Sequence, residues 1–301
     1  LYEMGLSGSP VMLDPDDLAR DCINFLKTGI IHADLLTTVS PTYAREILEP
    51  EYGMGLEGKL RDRQQALAGI LNGVDYQEWN PESDPLIAHA YAAGRMEGKE
   101  KNKQALSEEL GMAYAFDQPM AAMVGPLNYQ SGIELVQQVL PDLLKSRLFS
   151  LVVVGQGEPH HERFCQWMHN QFPGRVHYQR EFDHGLLHRI QAGADLLLMP
   201  SRYEPCGLNQ MYGLRYGTVP VVRATGGLAD SVQHFDPARG TGTGVVFHDF
   251  DANGLRWAFN TALDLHANKR AWRHVVFNGM EKNYSWQEQG ELYIKRFRGL
   301  L

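Results

Sequence analysis

The side chains best placed to bind a ligand lie in residues 201–228, which read SRYEPCGLNQMYGLRYGTVPVVRATGGL. An apolar run at residues 196–200 precedes them and predicts a strand that is buried on both faces of a parallel sheet. Glu204 follows the carboxyl end of this strand, which is the edge where open α/β sheets bind ligands. Residues 205–207 then open a segment with helical spacing. Glu204 is therefore predicted at the start of a helix, where free N–H groups can bind hydroxyl or phosphate oxygens.

A second strand-to-helix turn follows closely. Residues 218–222 predict the next strand, and Thr225, Gly226, Gly227 and Leu228 predict a turn into another helix. Two helix N-termini are thus expected to face one cleft, and glycine lets the backbone approach an anion closely. The alternative is that these are ordinary turns, because strand-to-helix connections use glycine and polar residues in any protein.

The rest of the chain predicts the elements that hold these turns. Strands and helices alternate from residue 121 onward, which indicates an α/β fold with a doubly wound parallel sheet. Before them we predict a helix at residues 18–31, a strand at 35–39 and a helix that Ser40 caps. Residues 81–112 are rich in charge, with Lys99, Lys101 and Lys103 among glutamates, and are predicted to form a solvated helix.

Composition excludes several classes of function. The 301 residues are 44% hydrophobic, which is enough for one large or two modest cores, and the net charge of -8 argues against general binding of nucleic acid or anionic membranes. No apolar run approaches ~18 residues, so no transmembrane helix is predicted. The three cysteines are widely separated, which is typical of free thiols in a reducing compartment. The chain begins at Leu1 without a signal-peptide pattern, so we expect a piece of a longer polypeptide.

Two pairs of residues at helical spacing are candidates for a metal site. His184 and His188 are four residues apart, as are His161 and Cys165. Neither pair has a matching second pair or a carboxylate arrangement nearby, so the sequence predicts surface histidines, no metal site and no cofactor. No phosphate-binding loop of the Walker type, Ser-His-Asp order or HExxH string occurs.

Three stretches carry a family resemblance. The stretch 201–228 resembles the signature of bacterial glycogen synthases and plant starch synthases, retaining glucosyltransferases of the two-lobed GT-B fold. KTGIIHADLLTTVSPTYAREI and GILNGVD are similar to elements at the end of that family's N-terminal lobe. The resemblance implies a truncated N-terminal lobe at residues 1–75, a hinge at 76–118, a Rossmann-like nucleotide-sugar lobe at 119–280, and a final helix at 281–301 that crosses back to the first lobe.

The resemblance also implies a reaction and its site. Glucose would pass from ADP-glucose or UDP-glucose to the non-reducing end of an α-1,4-glucan with retention, without a metal, in the cytoplasm or, in a plant, the plastid stroma. Glu204 would bind the donor glucose hydroxyls as the catalytic residue. The implied substrate-binding residues are Asn72 facing the glucose, Phe182 against the adenine, Cys206, Gly207 and Leu208 at sugar and phosphate, and Thr225, Gly226 and Gly227 around the distal phosphate.

One motif departs from the family pattern. Where the family reads close to VSRLTSQKGLDL, this chain reads VGPLNYQSGIEL, so Pro126 and Ser131 replace the Arg and Lys that stabilise the leaving diphosphate. Arg180 and Arg202 are the nearest other cations. The family's KxGGL element is also absent, so a missing N-terminal lobe or a partner chain is expected. Very low activity follows, and the alternative is an inactive glucan- or nucleotide-binding regulatory module of the same fold.

Overall fold

The structure is a computed structural model that describes residues 13–181 and 183–300. The strands are β1 (Leu36–Thr38), β2 (Leu67–Gly69), β3 (Met120–Val124), β4 (Ser150–Val154), β5 (Val176–Gln179), β6 (Leu196–Met199), β7 (Val219–Arg223) and β8 (Val245–Phe247). The helices are α1 (Pro15–Ala19), α2 (Phe25–His32), α3 (Pro41–Glu46), α4 (Pro50–Gly53), α5 (Glu57–Asp62), α6 (Glu97–Glu109), α7 (Ile133–Ser146), α8 (Pro159–Gln171), α9 (His184–Gly193), α10 (Asn209–Tyr216), α11 (Gly226–Ser231), α12 (Ala252–Ala267), α13 (Lys269–Met280) and α14 (Trp286–Arg298).

The main sheet has six strands in the order β5-β4-β3-β6-β7-β8, and every pairing is parallel. Alternate residues of β4 enter two different cores, because successive side chains of a strand point to opposite faces. Leu151 and Val153 lie in the larger core, whereas Val152 and Val154 lie in the smaller one with Ile190 of α9. The predicted doubly wound parallel sheet is therefore confirmed.

The N-terminal part of the chain forms a smaller parallel pair, β1 with β2, and the predicted strand at 35–39 is confirmed. The single helix predicted for residues 18–31 is wrong. Asp21 adopts a left-handed backbone with φ of 55°, which interrupts the helix after α1. The Asn24 side chain then accepts a hydrogen bond of 2.9 Å from the Lys27 N–H and begins α2. Ser40 caps α3 in the same way through the Tyr43 N–H, as predicted.

Helix α6 is not the solvated helix that its charges predict. Lys99 and Lys103 are only 8% and 3% exposed. The Lys99 ammonium group donates to the main-chain carbonyls of Gln191, Ala192 and Tyr216, at the C-terminal ends of α9 and α10. Burial nevertheless lowers the pKa of Lys99 to about 7. The sequence pattern predicted the helix but not its burial, because carbonyls about a hundred residues away replace the water around its lysines.

Of the last three helices, α12 and α13 pack against the sheet, and α14 follows them. Phe259 of α12 contacts Phe149 edge to face, with ring centroids 4.9 Å apart, and both are fully buried. Helix α14 starts beside residue 74, where the Val74 N–H donates to the Tyr284 carbonyl, and it leaves Leu292 and Phe297 about half exposed. The domain boundaries given above stay a prediction. No helix within residues 13–181 and 183–300 is both long and apolar enough to cross a membrane.

Candidate functional site

A cavity of about 540 Å³ opens at the carboxyl ends of β3 and β6. This is the edge at which the sequence placed the ligand site. Five of the predicted site residues lie together in its wall, namely Asn72, Glu204, Cys206, Gly207 and Leu208. Pro126 and Ser131, which stand at the two positions where the family pattern has cations, lie in the same wall.

Glu204 reaches the cavity from a loop rather than from a helix. Helix α10 begins at Asn209, so the helix start predicted beside Glu204 lies further along the chain. Burial raises the pKa of the Glu204 carboxyl, while the Ser201 hydroxyl and the Gly207 N–H lower it. Gly207 has φ of +67°, the left-handed backbone that lets this loop turn back towards the carboxylate. A half-buried carboxylate of this kind can accept hydrogen bonds from sugar hydroxyls.

Asn72 and Cys206 connect two distant segments of the wall. The Asn72 N–H lies 3.4 Å from the Cys206 sulfur, which accepts its hydrogen. Cys206 is 6% exposed, and burial raises the pKa of its thiol. A thiol that stays protonated is a poor nucleophile, so Cys206 acts here as a small buried residue, as the sequence favoured.

Thr225, Gly226 and Gly227 do not line the cavity, unlike the five predicted site residues named above. The Gly226 N–H donates to the Glu46 carboxylate at 3.1 Å, and the Gly227 N–H donates to the Glu204 carbonyl at 2.9 Å. A Cβ atom at Gly226 would lie 1.9 Å from the Glu204 carbonyl oxygen. These glycines are therefore needed for close packing of α11 against the Glu204 loop, and their N–H groups are already paired in this conformation.

The contact between Glu46 and Gly226 is one half of an arrangement in which α3 and α11 each cap the N-terminus of the other. Glu46 of α3 bonds the start of α11 through the Thr225 hydroxyl at 2.9 Å and the Gly226 N–H. In return Asp230 of α11 accepts the Thr42 N–H at 2.8 Å and the Thr42 hydroxyl at 2.7 Å at the start of α3. Each helix thus places a carboxylate on the N-terminus of the other, where the helix dipole favours negative charge.

The two cations that the sequence offered as nearest to the site, Arg202 and Arg180, are committed to other partners. Arg202 lies between the rings of Tyr129 and Phe250, with its guanidinium carbon 3.9 and 4.0 Å from their centroids, and it pairs with Glu134 at 2.5 Å. Arg180 pairs with Glu162 at 3.2 Å. No Lys, Arg or His stands among the described residues that line the cavity, and Glu204 is its one charged group there.

The replaced positions have local roles of their own. Ser131 forms a capping box with Asn128: the Ser131 N–H donates to the Asn128 side chain at 3.1 Å, and the Asn128 N–H donates to the Ser131 hydroxyl. This box starts a short 3₁₀ turn that precedes α7. A lysine at position 131 would lose the hydrogen bond from the Asn128 N–H, whereas the Asn128 side chain would still cap the N–H of residue 131.

Phe182 lies outside the described residues, so its predicted place against an adenine stays a prediction. Sequence reasoning missed Val39, Gln130 and Asn209, which also line the cavity. Asn209 offered a signal, because it is the first residue of a helix that follows a sheet edge. Val39 offered no such signal, because it is far from Glu204 in sequence and comes near the cavity only in the folded chain.

The histidine pairs are placed differently from the prediction. His188 is fully buried and His161 is 6% exposed, so neither is the surface histidine that the sequence favoured. Each of them lies in a group with a glutamate that the sequence spacing did not indicate: His188 with Glu78, and His161 with Glu158. Neither group lines the cavity at Glu204.

Residues 113–274, more than half of the chain, match the family model of glycosyl transferases group 1. The chain belongs to that family. Residues 3–62 match the starch synthase catalytic domain. The predicted resemblance to glycogen and starch synthases is thereby confirmed, and it covers both the N-terminal segment and the six-stranded sheet.

Individual relatives agree with this family. A glycogen synthase of Anaeromyxobacter sp. (strain Fw109-5) is 47% identical over 281 residues, which are 93% of this chain and 59% of the relative. A glycogen synthase of Thermodesulfovibrio yellowstonii is 42% identical over 279 residues, 93% of this chain and 55% of the relative. This group 1 glycosyltransferase chain therefore spans a little more than half the length of those proteins.

Solved structures confirm the GT-B fold. The catalytic domain of starch synthase IV from Arabidopsis thaliana, bound to ADP and acarbose, matches with a TM-score of 0.86 and 33% identity. The match covers 92% of this chain and 57% of that one. Sucrose-phosphate synthase from Thermosynechococcus elongatus matches with a TM-score of 0.61 at 20% identity over 99% of this chain and 65% of that one, which shows a shared fold.

Proposed function

We propose that this chain forms the nucleotide-sugar half of a glycogen synthase-type glucosyltransferase, which transfers glucose with retention to an α-1,4-glucan. The observation that carries the proposal is the cavity at the sheet edge, where Glu204 and Asn72 converge from opposite sides of the hinge. In this proposal Glu204 binds hydroxyls of the donor glucose as the catalytic residue, and Asn72 faces the same sugar. Membership of the glycosyl transferases group 1 family supports the reaction class.

The diphosphate would lie at the start of α10. Gly207, Leu208 and Asn209 line the cavity, and the first N–H groups of a helix have no partner within the helix itself. These N–H groups and the helix dipole favour an anion. We assign the phosphate to this helix start rather than to Thr225, Gly226 and Gly227, since Glu46 already occupies the start of α11.

ADP-glucose is the donor that we propose, with UDP-glucose as the alternative. The 33% identical starch synthase IV was solved with ADP, which supports an adenine nucleotide, and Phe182 stays the proposed stacking residue. We further propose a cytoplasmic protein, in which residues of a longer chain or a partner supply the acceptor side. Relatives that are more than one and a half times as long as this chain support that last point.

The absence of a cation among the described residues of the cavity wall predicts slow catalysis. Stabilising charge on a leaving group by one preorganised hydrogen-bond donor is worth ~10²–10³-fold in rate, and Pro126 and Ser131 supply no positive charge. The same observation favours the second candidate, a module that binds nucleotide or glucan without turning it over.

Calorimetry with ADP, ADP-glucose and a maltooligosaccharide separates the two candidates. Binding of ADP-glucose with release of ADP when the maltooligosaccharide is added, both lost in Glu204→Ala, supports the nucleotide-sugar half, whereas the same binding without release of ADP supports the module. Glucan binding in the absence of any nucleotide binding supports the module. If neither ligand binds the folded chain, both candidates are wrong for this chain.

A double substitution tests the charge argument. Pro126→Arg with Ser131→Lys is expected to tighten ADP binding at least about 10-fold, because one charge-assisted hydrogen bond contributes ~1.5 kcal/mol. The matched control is Gln166→Arg with Gln171→Lys on α8, which adds the same charge on exposed positions of another helix. Ser131→Lys removes the hydroxyl that accepts the Asn128 N–H, a bond worth about 0.5–1.5 kcal/mol, so Pro126→Arg alone serves as the variant that keeps the capping box. Equal ADP affinity in all of these variants would refute the argument.

A further inference from the structure

Three electron-pair donors meet where the hinge segment contacts α9. The Nε2 atoms of His184 and His188 are 3.3 Å apart, and Nε2 of His184 is 2.8 Å from a carboxylate oxygen of Glu78. The side chain of His188 is only 1% exposed, whereas those of Glu78 and His184 are 46% and 57% exposed. The group therefore has one buried anchor and two ligands that face solvent.

The tautomer of His188 follows from its hydrogen-bond partners. Its Nδ1 lies 2.7 Å from the buried Asp84 carboxylate, which also accepts the Tyr216 hydroxyl at 2.5 Å. An ionised carboxylate only accepts, so Nδ1 carries the hydrogen and Nε2 of a neutral His188 presents its lone pair. That lone pair is directed at His184.

No protonation state gives a well-formed hydrogen bond in both contacts of the His184 Nε2 atom. Its Nε2 has one hydrogen or one lone pair, but it faces the lone pair of His188 on one side and the Glu78 carboxylate on the other. If that atom donates to Glu78, a proton added to His188 would face another N–H. If it accepts, Glu78 and His188 must both become donors towards one lone pair. A cation bound between the three atoms would satisfy all of them at once.

The surroundings hold the anchor rigidly. The Trp79 ring stacks on the His188 ring with centroids 3.8 Å apart and an angle of 15°, and Tyr212 covers the other face of Trp79 at 3.7 Å. A carboxylate behind the coordinating imidazole fixes the ring and raises its basicity, and Asp84 occupies that position here. Trp79 and Asp84 come from the hinge segment, while His188 comes from α9.

We propose that Glu78, His184 and His188 bind Zn²⁺, or a divalent transition ion with similar preferences, and that water completes the coordination. Two imidazole nitrogens and one carboxylate oxygen suit Zn²⁺, Co²⁺, Ni²⁺ or Cu²⁺ rather than Mg²⁺ or Ca²⁺. Tetrahedral Zn²⁺ with bonds of ~2.0–2.1 Å places its ligand atoms roughly 3.3 Å apart, which is the separation of the two imidazoles. The ion ties the hinge segment to α9, and this role does not depend on glucosyl transfer.

The test uses the full chain, purified without a histidine tag and freed of metal with a chelator. Titration with Zn²⁺ is expected to show one ion per chain, and Co²⁺ is expected to give the visible absorption of a four-coordinate site. Glu78→Gln and His184→Gln replace exposed side chains, so folding should be retained. Loss of a hydrogen-bond partner behind a metal ligand weakens metal binding ~10–100-fold. Each of these two variants removes a ligand itself, so each is expected to weaken Zn²⁺ binding by more than that. Tyr216→Phe removes a hydrogen-bond donor to Asp84, the carboxylate behind His188, and is expected to weaken Zn²⁺ binding by no more than ~10–100-fold.

His160→Gln is the matched control. It alters the other histidine-carboxylate group among the described residues, Glu158, His160 and His161, and is expected to leave the first Zn²⁺ affinity unchanged. The proposal is overturned if the chain binds no Zn²⁺ at tenfold excess over protein, or if Glu78→Gln and His184→Gln bind with the parent affinity. It is equally overturned if His160→Gln abolishes binding while His184→Gln retains it.

Discussion

Truncation of Asp230 is expected to loosen the contact that joins α3 to α11. The carboxylate accepts three hydrogen bonds at the start of α3, from the Ser40 hydroxyl, the Thr42 N–H and the Thr42 hydroxyl. Bonds to a charged group contribute about 1.5–3 kcal/mol each. Three of them are not additive, and Thr42 can bond to water once Asp230 is gone. We therefore expect Asp230→Ala to lower the free energy of unfolding by about 3 kcal/mol.

The opposite carboxylate should matter less. Glu46 accepts the Thr225 hydroxyl and the Gly226 N–H through one oxygen, but its other oxygen is buried without a hydrogen-bond partner. That unpaired oxygen offsets part of the gain, because desolvating a charged atom is costly. Glu46→Ala is expected to cost about 1–2 kcal/mol, and the double variant should cost less than the sum, since both changes open the same contact.

Urea unfolding followed by tryptophan fluorescence measures these differences. Asp142→Ala is the control: its carboxylate is 65% exposed and pairs loosely with Lys145 and Arg256, at 3.6 and 3.9 Å, so the expected cost is below about 0.5 kcal/mol. The reasoning is refuted if Asp230→Ala costs no more than this control. Strict additivity of Asp230→Ala and Glu46→Ala would show that the two caps do not act on one contact.

Three further outcomes are expected. The pKa of Lys99 is about 7 in the folded chain, below that of a lysine in the unfolded chain, so the unfolded state binds more protons between pH 7 and 10. The stability of the parent chain relative to Lys99→Met should therefore rise over that range, by up to ~1.4 kcal/mol per pH unit, as measured by urea titration. Gly227→Ala should destabilise the chain and weaken ligand binding, because its Cβ would lie 1.9 Å from the Cys206 carbonyl oxygen. In mass spectrometry after brief iodoacetamide treatment, exposed Cys22 should be alkylated before buried Cys165, whose pKa burial raises to about 12.

Each of these outcomes has a control or a contrary result. A stability difference for Lys99→Met that stays flat across pH 7–10 would mean that the folded chain keeps the lysine charged. Gly290→Ala on α14, where nothing lies within 4 Å of the new Cβ, should stabilise the chain by about 0.5–1 kcal/mol. Equal alkylation of Cys22 and Cys165 in the folded chain would contradict the burial argument. In urea, which unfolds the chain, the expected difference between the two cysteines should disappear.

The elements that depend on local pattern could be predicted from the sequence. The run LLLM at 196–199 forms the buried strand β6, and Ser40 begins α3 as a capping residue does. Asn24 caps α2 in the same way, but it lies inside the stretch predicted as one helix. The apolar residues at 23–26 fitted one helix as well as two, and only the left-handed Asp21 decides between them.

The features that depend on distant partners could not be predicted. The buried Lys99 contacts carbonyls on two helices that follow it by about a hundred residues, and Glu46 reaches Gly226 across 180 positions. The histidine pair on α9 gave no sign of Glu78 or Asp84. Sequence spacing reports which side chains share one element, whereas these contacts join different elements.

The two helix starts near Glu204 show why the placement of an anion must be argued from the folded chain. Both begin beside glycine after a parallel strand, so the sequence treated them alike. In the structure the start of α11 is filled by the Glu46 carboxylate, while the start of α10 opens onto the cavity. An anion entering at α11 would have to displace a carboxylate held by two hydrogen bonds, whereas at α10 it would displace water. We therefore propose that the diphosphate of a nucleotide sugar binds at α10, and we expect a structure with ADP to show its contact with Leu208 and Asn209.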